Sequence, residues 1–389
     1  MKKNIRYLSV LLLPLGCIGI SNGFSILSII IFLYYKIQHN CNSKNIFHEI
    51  IQNNIVKYSY LTMLFWILCI GIASLYNGGD NQTWAYFQRM LMFFIVIYYY
   101  GNFNDNKFFC FFWIGICLAA IILSTDFIYQ FITLDIWRPN SSLLGGPNRL
   151  GGYLILILPF ILSGTYIYNK FLPLGIISTL LILTALIISG SRGAIGGFIG
   201  AVCITYFILF LKKSDKRKTL IKTFVKIFLL TLFAMAVLYY LKPGFFVHGS
   251  DSERIFLWKS AIKMIMDYPI VGVGFGNFNS IYVNDYISPL AVEPRLTSPH
   301  NIFLHYFVNL GILGGISFII LIITQIYVLV KNINDTLCES IWILAGLVSV
   351  LGMVIHGMVD TMITTRPYAL MYWLLYGISY SQIVSRRMQ

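Results

Sequence analysis

A chain of 389 residues with 58% hydrophobic and 11% charged positions is no ordinary soluble domain, where charged residues run near a quarter. Its formal charge of +14 invites a polyanion partner, but the basic residues are dispersed between long apolar runs, which excludes a nucleic-acid surface. Those runs, about 17 to 25 residues long, can each cross a bilayer, and the chain reads as an all-α polytopic membrane protein with about twelve spans.

In chain order the spans are predicted near 7–20, 24–35, 59–76, 83–101, 108–124, 149–168, 171–188, 194–211, 222–241, 302–330, 340–360 and 368–384. The first two are short enough to form a re-entrant hairpin, which leaves the topology of the rest unchanged. The opening MKKNIRYLSVLLLPLGC imitates a signal peptide, but Pro14 fits that pattern poorly, and residues 7–20 read as a retained element. Three parts follow: spans 1 to 9 over 1–241, one long loop over 242–301 carrying an amphipathic helix, and spans 10 to 12 over 302–389. With the N-terminus inside, fourteen of the seventeen lysines fall on the inner side, including the cluster KKSDKRK at 212–218. That bias places both termini in the cytoplasm and the long loop outside. The seven cysteines lie in spans or inner segments, so neither a disulfide framework nor a cysteine metal site is indicated.

Arginine is distributed the other way. Seven of the eleven face out: Arg89, Arg138, Arg149, Arg192, Arg254, Arg295 and Arg366. Lysine is a hydrated point charge suited to orientation, whereas the planar guanidinium fork suits bidentate binding of phosphate or carboxylate. In GGPNRLGG, 145–152, a turn caps the next span, and Asn148 and Arg149 could line an outer cavity. In SGSRGAIGG a short turn sets Arg192 beside a helix start, whose free N–H groups and dipole favour an anion. In the long loop, Ser250 and Glu253 have capping-box spacing, and SERIFLWKSAIKMIMDYP reads as a helix stopped by Pro269. Leu257, Trp258, Ala261 and Ile265 fall on one face with Arg254. GVGFGNF, 272–278, imitates a nucleotide loop. Asn277 takes the last glycine position, however, and no strand-then-helix frame surrounds it, so the stretch reads as a turn back to the membrane.

His300 follows Pro299 at the exposed start of the helix predicted at 302. An imidazole titrates near neutrality and can take a proton from a hydroxyl. No H-x-x-x-H or HExxH pair supports a metal, and the outward acids, Asp360 among them, form no recognisable pair. None of the spans carries an Asp or Glu in its middle, which disfavours an ion-coupled transporter.

Together these residues resemble the O-antigen ligase family, within the superfamily of ligases and polymerases of bacterial cell-surface polysaccharide. HNIFLHYFVNLG fits the family pattern H-[NSQ]-x-x-L-x6-G through His300, Asn301, Leu304 and Gly311. SGSRGA matches its arginine turn, and SERIFLWKSAIKMIMDYPIVGVGFGNF its loop helix and glycine turn. The resemblance implies that His300 is the base for an acceptor sugar hydroxyl, and that Arg192 and Arg254 hold the pyrophosphate of an undecaprenyl-pyrophosphate-linked glycan. Asn301, Arg89, Arg295, Asp360 and Arg149 are further candidates for substrate contact. It also implies inverting transfer to lipid A-core at the periplasmic face of the inner membrane, without metal, ATP or other cofactor. An O-antigen polymerase using the same donor is the alternative, and a polysaccharide-lipid transporter a more distant one.

Overall fold

The computed structural model describes residues 5–19, 23–39, 54–77, 81–103, 106–212, 222, 240, 250–291, 296–334 and 336–386. Its helices are α1 (Ile5–Gly16), α2 (Gly23–His39), α3 (Asn54–Tyr76), α4 (Asn81–Phe103), α5 (Asn106–Leu134), α6 (Pro147–Ile167), α7 (Leu172–Ser189), α8 (Arg192–Lys212), α9 (Ser250–Asp267), α10 (Ile302–Lys331), α11 (Leu337–Gly357) and α12 (Arg366–Arg386). All but α9 fall on predicted spans, and α9 is the predicted loop helix. Most of the predicted span 222–241, the basic cluster beyond Lys212, and Arg295 lie outside the described residues. Among those described, seven helices are long and apolar enough to cross a membrane, α5 to α8 included. Helix is what such runs must form, because in lipid each backbone polar group needs a partner within the chain.

The helices pair α8 with α11, α4 with α12, α3 with α10, and α1 with both α2 and α5, while α6 lies between α7 and α11. One apolar core runs through the bundle and includes Trp66, Phe93, Trp113, Tyr153, Tyr306 and Tyr376. Phe93 stacks on Tyr376 at 5.4 Å between ring centroids, which ties α4 to α12. A smaller core of Leu257, Ala261, Met264, Val273, Phe278, Tyr282 and Val308 binds α9 to the first turns of α10.

Two predicted spans need correction. The span predicted at 108–124 continues to Leu134, because Ser124, Thr125 and Asp126 interrupt the apolar run without breaking the helix. Asp126 instead anchors the following loop, accepting from Ser141 Oγ and Ser142 N, each at 3.1 Å. The span predicted at 302–330 is two helices. Gly311, with φ 68° and ψ −169°, breaks it. The break frees backbone groups, and the segment after α9 supplies their partners. Val273 N donates to Val308 O at 2.8 Å, Gly274 N to Asn309 O at 3.0 Å, and Ile312 N to Pro269 O at 2.7 Å. A Cβ on Gly311 would lie 2.2 Å from Ile270 O, and one on Gly272 2.4 Å from Val308 O. The glycine stretch 272–278 is therefore a strap stitched to a broken helix, which is more specific than the plain turn expected of it.

Candidate anion and transfer site

The turn between α7 and α8 is built by its own residues. Gly190 ends α7 in the left-handed conformation, φ 57°, and its N–H caps Ile187 O. Ser191 restarts the helix by accepting from Ala194 N through Oγ at 3.4 Å. Arg192 thus occupies the first position of α8. The space over Gly190 is taken by Arg138, whose Cδ would lie 3.2 Å from a Cβ placed there. Arg138 itself has φ 63°, in the loop between α5 and α6. Its Nε donates to Ser189 O at 2.8 Å and its Nη2 to Asn148 Oδ1 at 2.9 Å.

Sixty residues apart in sequence, 298–301 and 358–361 are fastened side by side. Ser298 Oγ and Thr361 Oγ1 share a hydrogen bond of 2.6 Å, His300 Nδ1 meets Asp360 Oδ1 at 3.0 Å, and Asn301 Nδ2 donates to Met358 O at 3.0 Å. Asn301 also caps α10, accepting from Phe303 N and Leu304 N through Oδ1 at 3.0 and 3.1 Å. His300 is held just before that cap with φ 47°, a conformation histidine tolerates better than most side chains. Its side chain is 31% exposed, so the expected exposed helix start is in fact half-buried against α11.

Asp360 is a carboxylate here. Burial pushes its carboxyl up, but the hydrogen bond of His300, the attraction of the His300 and His356 rings when they are protonated, and the N–H of Thr361 together outweigh burial and hold it below the usual range. An ionised Asp360 only accepts, so His300 carries its proton on Nδ1 and keeps the lone pair on Nε2. A half-buried Nε2 lone pair fixed by a carboxylate can accept a proton.

Asp360 also lines a cavity of about 310 Å³, together with Arg138, Asn148, Arg192, Arg254, His356 and Val359. The cavity gathers three guanidiniums from three elements: the α5–α6 loop, the start of α8, and α9. Their mutual repulsion is felt at Arg138, whose guanidinium is pulled below its ordinary value by burial first and then by the charges of Arg192 and Arg254. An anion entering the cavity relieves that repulsion.

Arg192 and Arg254, predicted as a pair, do line one cavity. The face of α9 is rotated from the expected one: Leu257, Ser260, Ala261 and Met264 are buried, whereas Trp258 and Ile265 are only half-buried. Asn301 is buried, its side chain engaged in the cap and in Met358. Arg149 is exposed, and the neighbouring Asn148 takes the cavity position. Arg89 is engaged elsewhere, donating through Nη1 to Thr364 O at 2.6 Å and lying over the Tyr86 ring at 5.0 Å. His305 is buried: Nε2 meets Tyr86 OH at 3.3 Å and Nδ1 meets Asn309 Nδ2 at 3.2 Å. The His300–Asp360 pair, Arg138 and His356 were not legible as site members. Arg138 was visible only as one of seven outward arginines, and His356 only as a histidine one turn before Asp360.

Fold and site together define a multi-pass helical membrane protein with an arginine-lined anion cavity and a carboxylate-held histidine at one end of its bundle. Residues 177–319 match the family model described as O-antigen ligase. Over that stretch the chain is similar to the O-antigen ligase family, a group of membrane glycosyl-transfer enzymes that includes ligases and polymerases. The matched stretch holds Arg192, Arg254, His300 and Gly311; Arg138, His356 and Asp360 lie outside it. A protein of Haemophilus influenzae, described only as uncharacterized, is 22% identical over 361 residues, covering 87% of this chain and 86% of its own length.

Proposed function

We propose that this protein is an O-antigen ligase that transfers glycan from undecaprenyl pyrophosphate to a hydroxyl of lipid A-core, with inversion, at the periplasmic face of the bacterial inner membrane. The observation that carries the reading is the meeting of Arg138, Arg192 and Arg254 in one cavity whose wall is Asp360, the carboxylate that fixes His300. The arginines hold the pyrophosphate and meet the charge that grows on it as it leaves. His300 Nε2 takes the acceptor's hydroxyl proton. The freed oxygen bonds to the anomeric carbon, the bond from that carbon to the pyrophosphate oxygen breaks, and the electron pair departs with undecaprenyl pyrophosphate. The donor's own bond supplies the energy, so neither nucleotide nor metal takes part. The sequence pattern supports about twelve spans, the first two forming either spans or a re-entrant hairpin, with both termini in the cytoplasm.

The test is reconstitution of the full chain in proteoliposomes with undecaprenyl-pyrophosphate-linked glycan and lipid A-core, with a chelator and no nucleotide. The expected product is glycan-bearing lipid A-core with release of undecaprenyl pyrophosphate. Lengthened glycan still on the undecaprenyl carrier would identify a polymerase instead. Glycolipid moved across the bilayer without a new covalent product would identify a transporter.

A further inference from the structure

Gly152, Gly193 and Gly197 belong to the two glycine–arginine turns, yet none has a part in the chemistry above. All three close on His356, in the last turn of α11. A Cβ on Gly152 would lie 2.7 Å from His356 Cε1 and 2.8 Å from Nδ1; one on Gly193 would lie 3.0 Å from Cδ2, and one on Gly197 3.1 Å from Cβ. A side chain at Gly152 would displace the ring outright, one at Gly193 would crowd it as well as Val359, and one at Gly197 would press on the base of His356 and on Gly352 O. The glycines of α6 and α8 therefore form a slot for a flat ring, and the slot opens on the arginine cavity that His356 lines.

His356 is 2% exposed, no hydrogen bond engages its ring nitrogens among the described residues, and neither nitrogen is among the fully buried unpaired atoms, so the ring keeps an edge open on the cavity it lines. The other polar side chains lining the cavity are Arg138, Arg192 and Arg254 from three elements, Ser191, which accepts from Ala194 N, Asn148, engaged by Arg138, and Asp360, whose Oδ1 accepts from His300 and from Thr361 N. What enters beside three guanidiniums is an anion rich in acceptor oxygens. An imidazole N–H adds a directed donor to such a ligand without adding a fourth fixed positive charge.

We propose that His356 is a substrate-contacting residue of the anion cavity, donating a hydrogen bond from its ring N–H to a phosphate oxygen of the lipid diphosphate. The identity of that anion rests on the ligase reading; the slot and the unpartnered ring do not. The bond strengthens as negative charge accumulates on the departing diphosphate, so it acts on the donor side of the reaction. It also gives Gly152 and Gly193 a role, since the absence of a Cβ at each admits the histidine ring.

The test uses the detergent-purified full chain and inorganic pyrophosphate, with Kd from calorimetry and unfolding temperature read on the same samples. His356→Phe keeps a ring in the slot but removes the N–H, and Kd should rise about tenfold or more, the loss of one hydrogen bond to a charged group. His356→Gln restores a donor and should recover most of that loss. If the phenylalanine variant does not fold, His356→Ala replaces it; its weakened binding should be restored by added imidazole, which a merely structural role would not allow. In the transfer assay the donor KM and kcat should change while the acceptor KM does not. Wild-type pyrophosphate affinity in a folded His356→Phe or His356→Ala protein would overturn the proposal and leave the ligase reading standing. No pyrophosphate binding by the wild type, with no effect of Arg192→Gln, would overturn both.

Discussion

Asp360 Oδ1 accepts from His300 Nδ1 and from Thr361 N, and that double acceptance decides what His300 can do. Asp360→Asn keeps the shape but offers His300 an amide, which no longer dictates the tautomer or stabilises an imidazolium. Transfer should fall at least about 10²-fold with little change in donor KM, a loss typical of removing a group that orients a general base. Transfer within about threefold of wild type would remove Asp360 from the chemistry. The same pair has a thermodynamic signature. The folded carboxyl lies below its ordinary value, so its stabilisation is fully present above the unfolded pKa near 3.9 and is lost as pH falls through the lower folded value. The Tm difference between wild type and Asp360→Asn should therefore shrink as pH falls below roughly pH 4. A difference that does not shrink there would mean that the pair is held by something other than an ionised Asp360. Arg138 makes a separate claim. Its fork reaches Ser189 O and Asn148 while its charge faces Arg192 and Arg254. Arg138→Lys keeps the charge and loses the fork, so donor KM should rise several-fold, as for Arg192→Lys and Arg254→Lys. Unchanged donor KM in all three lysine variants would argue against bidentate recognition.

At the scale of elements, the histidine motif reads as a short programme: histidine, cap, then break. Asn301 both caps α10 and ties it to Met358, so Asn301→Ala removes a cap worth about 1 kcal/mol and one of the three bonds that hold His300 beside Asp360. Gly311 ends the programme by breaking α10, and the strap 269–274 supplies the partners for the freed groups. Gly311→Ala must place a Cβ 2.2 Å from Ile270 O and adopt φ 68°, and should lower the unfolding temperature in detergent more than Asn301→Ala does. The reverse order would show that the strap is not a stabilising contact. Helix positions were legible because apolar runs of spanning length dominate the sequence. The break was not, because the residues on both sides of Gly311 are equally apolar and its hydrogen bonds come from some forty residues upstream. The fastening of 298–301 to 358–361 was hidden for the same reason, since separation in sequence carries no record of which helix ends lie side by side. Arg192, Arg254 and His300 could be read because each sits beside a local signal: a glycine turn, a capped helix, a proline and a cap. Neither Arg138, although Pro139 follows it, nor His356 opens a capped helix, and only the packing of the α5–α6 loop, α6, α8 and α11 brings them in.

For the whole molecule, α8 carries an arginine at one end and a lysine at the other. α8 begins at Arg192 and ends at Lys212, some 30 Å away at helical rise. Lys212 Nζ donates to Val330 O at 2.6 Å, so the far ends of α8 and α10 meet just as their near ends share the region of the arginine cavity. A reaction on lipid-borne substrates at the cavity end needs that end to face one compartment only, and the proposed function, with the lysine bias of the sequence, requires it to be the outside. Ser280, in the segment following the strap, is exposed at the loop that carries Arg254, and Lys331 is exposed at the opposite end. In a cysteine-free background, Ser280→Cys should react with a membrane-impermeant maleimide in cells whose outer membrane alone is permeabilised. Lys331→Cys should react only after the inner membrane is opened as well. Both variants must retain transfer activity for the result to count, and both positions lie away from the cavity. Labelling of Lys331→Cys in intact spheroplasts with Ser280→Cys protected would invert the topology and put the histidine and arginines in the cytoplasm, where a periplasmic ligase cannot work.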